Sequence, residues 1–385
     1  MRQLRGPLAR REFRMYFAGN VASNIGSWLS NVALSVYVLE LTDSSFWVGL
    51  TNAALFVPVI LFALPAGALA DRTDRMRLLR VSQITACAFA STLALLVATD
   101  QANRYAMLVI AAGLGLTIAV AIPAMQSMIP SLVPHEELNE AIGLNALTFN
   151  IARALGPVLA AVTITAIGFT FAFTLNALSF VPLIVALVVI RRPPFLREME
   201  GAGGSIREGL SYAWNHVQTR TMLLGVMAIS VSLDPITTVS PALVREYGLS
   251  TGSAGWIVSA WGAGAVAGIT LGRRWIHYAS SHGLGWAGLV GQAVGLVALG
   301  AAPAIEGAIP AALLTGFGYI TATISFVTTI QSDVPERLRG RVMSLWTASF
   351  LGPRVISAVI DGALADAFGP HIAIAVFAAP AVLAA

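Results

Sequence analysis

The chain reads as a succession of long apolar stretches, each cut off from the next by a few polar or arginine-rich residues. A helix needs roughly 20 largely apolar residues to cross a bilayer, and twelve stretches meet that demand. They are predicted at 13–41, 46–70, 79–99, 105–130, 141–168, 169–190, 221–244, 253–276, 284–303, 308–332, 342–368 and 370–385. The last is short, either a minimal helix or a truncated one. The predicted fold class is an all-α polytopic membrane protein of about twelve transmembrane helices.

Composition narrows the choice. Of 385 residues 57% are hydrophobic and 11% charged, and a soluble domain could not hide so much apolar surface behind so few charges. All 23 basic residues are arginine. Counted by side, nineteen of them flank the spans on one face, only Arg104 and Arg245 lie on the other, and Arg153 and Arg354 fall inside spans. The positive-inside rule then places the N-terminus and the longest loop in the cytoplasm, with the chain in the cell membrane. The arginine-rich start runs into a long span with no small-residue cleavage site, so no removable signal peptide is expected. The net charge of +4 reflects this topology and predicts contact with anionic lipid heads, not nucleic acid.

The longest polar stretch divides the spans six and six. This gives an N-terminal bundle at 1–190, a cytoplasmic linker at 191–220 and a C-terminal bundle at 221–385. A weak internal repeat runs alongside: Val133-Pro134 matches Val334-Pro335, and the same offset sets Arg153 on Arg354. Parallel half-repeats in transporters place the substrate site near the midplane, where the repeats meet.

Charges inside spans carry the candidate chemistry, because each costs at least ~3 kcal/mol at the bilayer centre unless it meets a partner or a cavity. Four stand out: Arg153, Asp234, Arg354 and Asp361. Asp234 lies near midplane and precedes Pro235, which removes a backbone donor and disfavours helix for the residue before it. It is read either as a coupling residue or as a structural partner for the freed backbone or an arginine. Arg354, Ser357 and Asp361 are spaced three and four apart and share a helix face. Arg354 and Asp361 stand roughly 10 Å apart along the axis, too far to pair, so Arg354 is expected to meet Asp234 or an anionic substrate. Asp361 is read either as a coupling group or as an external gate.

Further polar stripes run along Asn20, Asn24, Ser27 and Asn31 in the first span and Thr321, Ser325 and Thr328 in the tenth. They either line a cavity or join helices. All five histidines lie in or beside loops, and Cys87 is expected to serve packing. No cluster has metal-ligand spacing, and a lysine-free chain cannot carry a lysine phosphate loop, so neither metal nor cofactor nor enzymatic activity is expected.

At Gly67-Ala68-Leu69-Ala70-Asp71-Arg72-Thr73-Asp74-Arg75-Met76-Arg77 the chain resembles the loop after the second span of the major facilitator superfamily, although Asp74 replaces the usual glycine. Asp tolerates a left-handed backbone better than most residues, so Asp74 is expected to turn the loop. Segments at 11–14, 24–28, 39–42 and 335–342 are similar to the branch holding the enterobactin exporter and the macrolide efflux proteins. The resemblance covers essentially the whole chain. It implies two pseudo-symmetric six-helix bundles and a cytoplasmic gate at Gly67, Asp71, Arg72, Arg75 and Arg77. In that gate Asp71 meets the amino end of span eleven near Val342.

Gly143, Ala152, Gly156 and Pro157 in span five resemble the superfamily's antiporter motif, with alanine at three glycine positions. Close helix packing is the alternative. The resemblance implies a secondary active transporter that exports a small amphipathic molecule, a drug, macrolide or siderophore, by proton-driven alternating access. Asp234 would carry the proton, its affinity set by Arg153 or Arg354. The implied partners are a small-molecule substrate, protons and lipid, and the expected unit is a monomer. An importer or lipid flippase on the same fold, or a non-transporting membrane sensor, are the competing readings.

Overall fold

A computed structural model describes residues 6–190, 206–275 and 281–384, and the described part is helical throughout. The first six helices are α1 (Arg11–Thr42), α2 (Ser45–Arg72), α3 (Arg75–Ala98), α4 (Arg104–Leu132), α5 (Leu138–Ala166) and α6 (Phe169–Val189). A short α7 (Ile206–Asn215) follows. Then come α8 (Val217–Val231), α9 (Pro235–Thr238), α10 (Ser240–Glu246), α11 (Ala254–Trp275), α12 (Ser281–Ala301), α13 (Ile305–Asp333), α14 (Glu336–Phe368) and α15 (Pro370–Ala384). Helices are the expected outcome, since only they satisfy every backbone group of a single segment within hydrocarbon.

Among the described residues ten helical segments are long and apolar enough to span a bilayer. With α1, which is 32 residues long but dotted with asparagine and arginine, and the short α15, they make the twelve predicted spans. Large apolar side chains stand exposed on most of them, among them Leu95, Val109, Leu178, Val294 and Ile356. Such a surface suits lipid and not water. This is a multi-pass membrane protein.

Two elements have local causes. The seventh span is interrupted near Asp234-Pro235 and runs as α8, α9 and α10 in succession. The predicted linker contains a helix, α7, where Arg341 of α14 bonds to Glu208. A side chain on Gly209 would meet the Arg341 Cβ at 2.7 Å. Residues 191–205 of that linker lie outside the described residues.

The chain divides into two compact units, one of residues 1–41 and 54–199, the other of 42–53 and 200–385. In the first unit Arg10 clasps Glu137 through Nε (2.8 Å) and Nη2 (3.0 Å), tying the turn before α1 to the turn before α5. These bonds hold the Glu137 carboxyl below its usual range. In the second unit α13 lies between α11 and α12 at backbone contact distance. A Cβ added to Gly316 would overlap the Trp261 carbonyl, and one added to Gly264 the Leu313 carbonyl. Small residues allow this approach, and close packing stands in for the hydrophobic drive that helices lack in lipid.

The repeat seen in sequence reaches the helix ends. Gly168 after α5 and Gly369 after α14 stand in the same relation as Arg153 and Arg354, and both take positive φ (110° and 86°). Glycine adopts this conformation without penalty and ends each helix where the chain turns back.

Candidate functional site

The break in the seventh span builds the site. Pro235 has no N–H and crowds the carbonyl four residues back, so α8 cannot continue through it. The helix tightens instead: Ser232 N–H bonds to the Ala228 carbonyl (3.1 Å) and Leu233 N–H to the Ser230 carbonyl (3.2 Å). Asp234 itself keeps right-handed helical angles, φ −64° and ψ −35°. The interruption therefore falls at Ser232–Leu233, ahead of the residue that the proline rule disfavours. Because Leu233 N–H bonds to Ser230, the Ile229 carbonyl loses its usual helical donor. Gln292 of α12, fully buried, donates its Nε2–H to that carbonyl at 3.1 Å. Ser230 donates its hydroxyl to the Phe350 carbonyl, fixing α8 against α14.

This turn presents the Asp234 carboxylate to α14. Arg354 Nε donates to Oδ1 at 2.9 Å, and the Ser357 hydroxyl donates to Oδ2. Asp234 is 2% exposed and the Arg354 side chain 14%. Asp361 lies one turn beyond Ser357 on the same face. It is fully buried, and among the described residues neither of its oxygens has a hydrogen-bond partner. Toward the other end of α14, Phe350 and Trp346 continue the stripe one and two turns before Arg354. Their rings are parallel within 2° and 5.5 Å apart.

Arg153, the predicted counterpart in the first unit, has a different setting. It is buried, with its guanidinium 4.7 Å from the Phe149 ring and 5.5 Å from that of Trp28. Guanidinium over aromatic faces is a favourable contact when desolvated. Gly156 belongs to the same seam: a Cβ there would meet Trp28 Cβ at 2.5 Å, so α1 and α5 touch at this point. Ala152 is buried, Pro157 lies within a continuous α5, and Gly143 faces open space.

The polar stripes divide. Asn20 is buried and donates to Asn145 Oδ1 (2.9 Å) and Thr148 Oγ1 (3.2 Å). Asn24 donates to Asn20 Oδ1 (3.0 Å), so these two join α1 to α5. Ser325 is buried within 3.1 Å of where a Gly285 Cβ would stand, and Thr321 within 3.2 Å of a Gly268 Cβ, both in helix seams. Ser27 and Thr328 are exposed, and Asn31 is half-buried.

At the loop after α2 the side chains of Asp71 and Arg72, and Gly67, lie outside the described residues. Arg75 is half-buried and Arg77 exposed. Asp74 does not turn the loop by a left-handed backbone, since its φ is −60°. It caps α3 instead, accepting from Met76 N–H (2.9 Å) and Arg77 N–H (3.1 Å), two donors that no helical carbonyl can reach. Asp74→Ala is expected to cost about 1 kcal/mol, read as a lowered thermal unfolding midpoint in detergent, with Asp74→Ser close to the parent.

Gln292 and Ser230 are not visible in the sequence pattern as parts of this site. Gln292 does stand as a single amide in an otherwise apolar span, and that isolation is the available signal.

A buried ion pair beside a broken membrane helix is transporter architecture, and comparison with known families agrees. The family described as "Transmembrane secretion effector" matches residues 4–385. The chain belongs to the major facilitator superfamily. Among relatives of this superfamily transporter, the enterobactin exporter EntS of Escherichia coli O81 is 25% identical over 368 residues, covering 93% of this chain and 86% of that protein. The staphyloferrin A transporter of Staphylococcus aureus is 23% identical over 235 residues, 60% of this chain and 59% of that protein.

Solved structures share the fold. The nucleoside transporter NupG superposes with a TM-score of 0.80 at 9% identity, covering 97% of each chain. A bacterial homologue of the lysosomal transporter Spinster gives 0.79 at 14% identity, covering 97% of this chain and 95% of that one. The family and these relatives are transporters, not enzymes.

Proposed function

We propose that this protein exports a small amphipathic anion of the siderophore type across the cell membrane, driven by proton entry, through alternating access of its two bundles. The observation that carries the reading is the set Asp234, Arg354 and Asp361, ionisable groups held with Ser357 inside membrane spans at a helix break. Such residues are expensive in hydrocarbon and mark substrate and proton routes. The stacked Phe350 and Trp346, one and two turns before Arg354 on α14, offer an aromatic surface on the same helix as a positive charge, which suits a ligand with a flat apolar part and an acidic one. Relatives that carry the siderophores enterobactin and staphyloferrin A support the same substrate class. The arginine distribution supports a cytoplasmic N-terminus, and a monomer is the working unit. The loop at Asp71, Arg72, Arg75 and Arg77 forms the cytoplasmic gate.

The test is uptake of a panel of iron-free chelators into inverted membrane vesicles energised to acidify their interior. At least one chelator should accumulate above vesicles lacking the protein, and a protonophore should abolish the difference. Accumulation only in right-side-out vesicles would make the protein an importer. No accumulation of any chelator in either orientation would end the siderophore reading.

A further inference from the structure

Asp234 and Asp361 are both buried carboxyls, but they are not equally supplied with donors. Asp234 has an ionic donor in Arg354 and a hydroxyl donor in Ser357. Among the described residues Asp361 has neither, nor has it any exposed surface through which water could replace them. An ionised carboxylate without donors in such a place is far more costly than a neutral acid with an idle O–H. The helices packed on α14 bring other ionisable groups, including Glu208 on α7, Arg220 on α8, Glu306 and Asp333 on α13 and His371 on α15.

We infer that Asp361 is the residue that binds the coupling proton, while Asp234 stays ionised as the fixed partner of Arg354. The inference rests on the proton-driven export reading and moves proton duty away from Asp234, the residue that its place before Pro235 singles out. With Asp361 protonated, the three ionisable groups sum to neutrality: one guanidinium, one carboxylate, one neutral acid. When the Asp361 O–H bond breaks, its electron pair stays on the carboxylate and the proton passes to water entering the open state. The set then carries one excess negative charge, placed one helical turn from the Ser357 hydroxyl that binds Asp234. The contact exposed to that charge is the Asp234–Arg354 bond, which ties the α8–α9 turn to α14. Gain or loss of a proton is thereby coupled to how these two elements hold together.

The experiment is infrared difference spectroscopy on the full chain in lipid, with the pH as the only variable and H2O–D2O exchange to mark acid groups. The wild-type protein should show a carboxylic-acid C=O band at neutral pH. Asp361→Asn should remove it, Asp361→Glu should shift it, and Asp234→Asn should leave it in place. A band that survives Asp361→Asn, or one that disappears in Asp234→Asn, overturns the assignment. Asp361→Glu keeps the acid and so remains informative should the amide variant fold poorly. In energised vesicles Asp361→Asn should lose gradient-driven accumulation, and wild-type accumulation by that variant also overturns the assignment. The spectroscopic arm needs no substrate. Absence of flux in the wild type with the band pattern intact supports the proton site and counts against export alone.

Discussion

Arg354→Met is expected to destabilise the protein by about 3–5 kcal/mol, the range found when one member of a buried ion pair is removed. The loss comes from what is left behind. Asp234 is 2% exposed, and without Arg354 its carboxylate keeps, among the described residues, the Ser357 hydroxyl as its one donor. Asp234→Asn should be milder, because the Arg354 side chain retains 14% of its surface and the asparagine carbonyl can still accept from Ser357.

The decisive variant is the double replacement, Asp234→Leu with Arg354→Met. A buried pair exchanged for apolar groups of similar volume is often neutral or better, so the double variant should recover to within about 1 kcal/mol of the parent. Thermal unfolding in detergent, followed by tryptophan fluorescence, reads the parent, Asp234→Leu, Arg354→Met and the double variant as a double-mutant cycle, with Asp234→Asn measured beside them. A double variant as unstable as Arg354→Met alone would show that the loss does not arise from a stranded charge. Transport should stay absent in the double variant, which separates a device for function from one for stability.

Much of this site is legible in the sequence, and the part that is not has a common cause. Asp234-Pro235 in the middle of an apolar run announces a broken helix, and the spacing of Arg354, Ser357 and Asp361 places them on one face. Both signals are local, a proline's missing donor and a helical period. What the sequence does not carry is the rotation of each helix. In a soluble helix the apolar stripe marks the buried face. Here lipid and protein interior are equally apolar, so nothing along α1 tells that Asn20 joins Asn145 and Thr148 while Ser27 stays exposed.

Backbone demand is hidden as well. Gln292 acquires its task only because Leu233 N–H turns to Ser230 and strips the Ile229 carbonyl of a donor. The Asp74 cap shows the same limit in reverse. The motif position suggests a residue chosen for its backbone angles, whereas its side chain does the work.

Gly362→Val is expected to have the second large effect, on the head of α2. Residues 42–53 belong to the second unit although the rest of α2 belongs to the first, and Asp366 at the end of α14 holds that head. Its carboxylate accepts from Ser45 N–H (2.6 Å), Phe46 N–H (3.1 Å) and the Ser44 hydroxyl, so an aspartate more than three hundred residues away caps the helix. Acidic groups are favourable at a helix start, where unpaired N–H groups gather. The helices can come this close because glycines face each other's backbones: a Cβ on Gly362 would overlap the Ser45 carbonyl, and one on Gly49 the Ala358 carbonyl.

A valine at 362 has no flexible neighbour to displace, so the head must lift and lose its cap as well. The combined cost is about 2–4 kcal/mol from overpacking and the uncapped donors. Asp366→Asn, which weakens the cap and leaves the packing, should cost about 1 kcal/mol. Ser45 is buried, so Ser45→Cys in a Cys87→Ala background should react slowly with a membrane-impermeant maleimide. Adding Gly362→Val should speed labelling strongly, and adding Asp366→Asn should speed it modestly. Equal labelling rates in all three proteins would mean that neither the glycine contact nor the carboxylate holds the head of α2 in place.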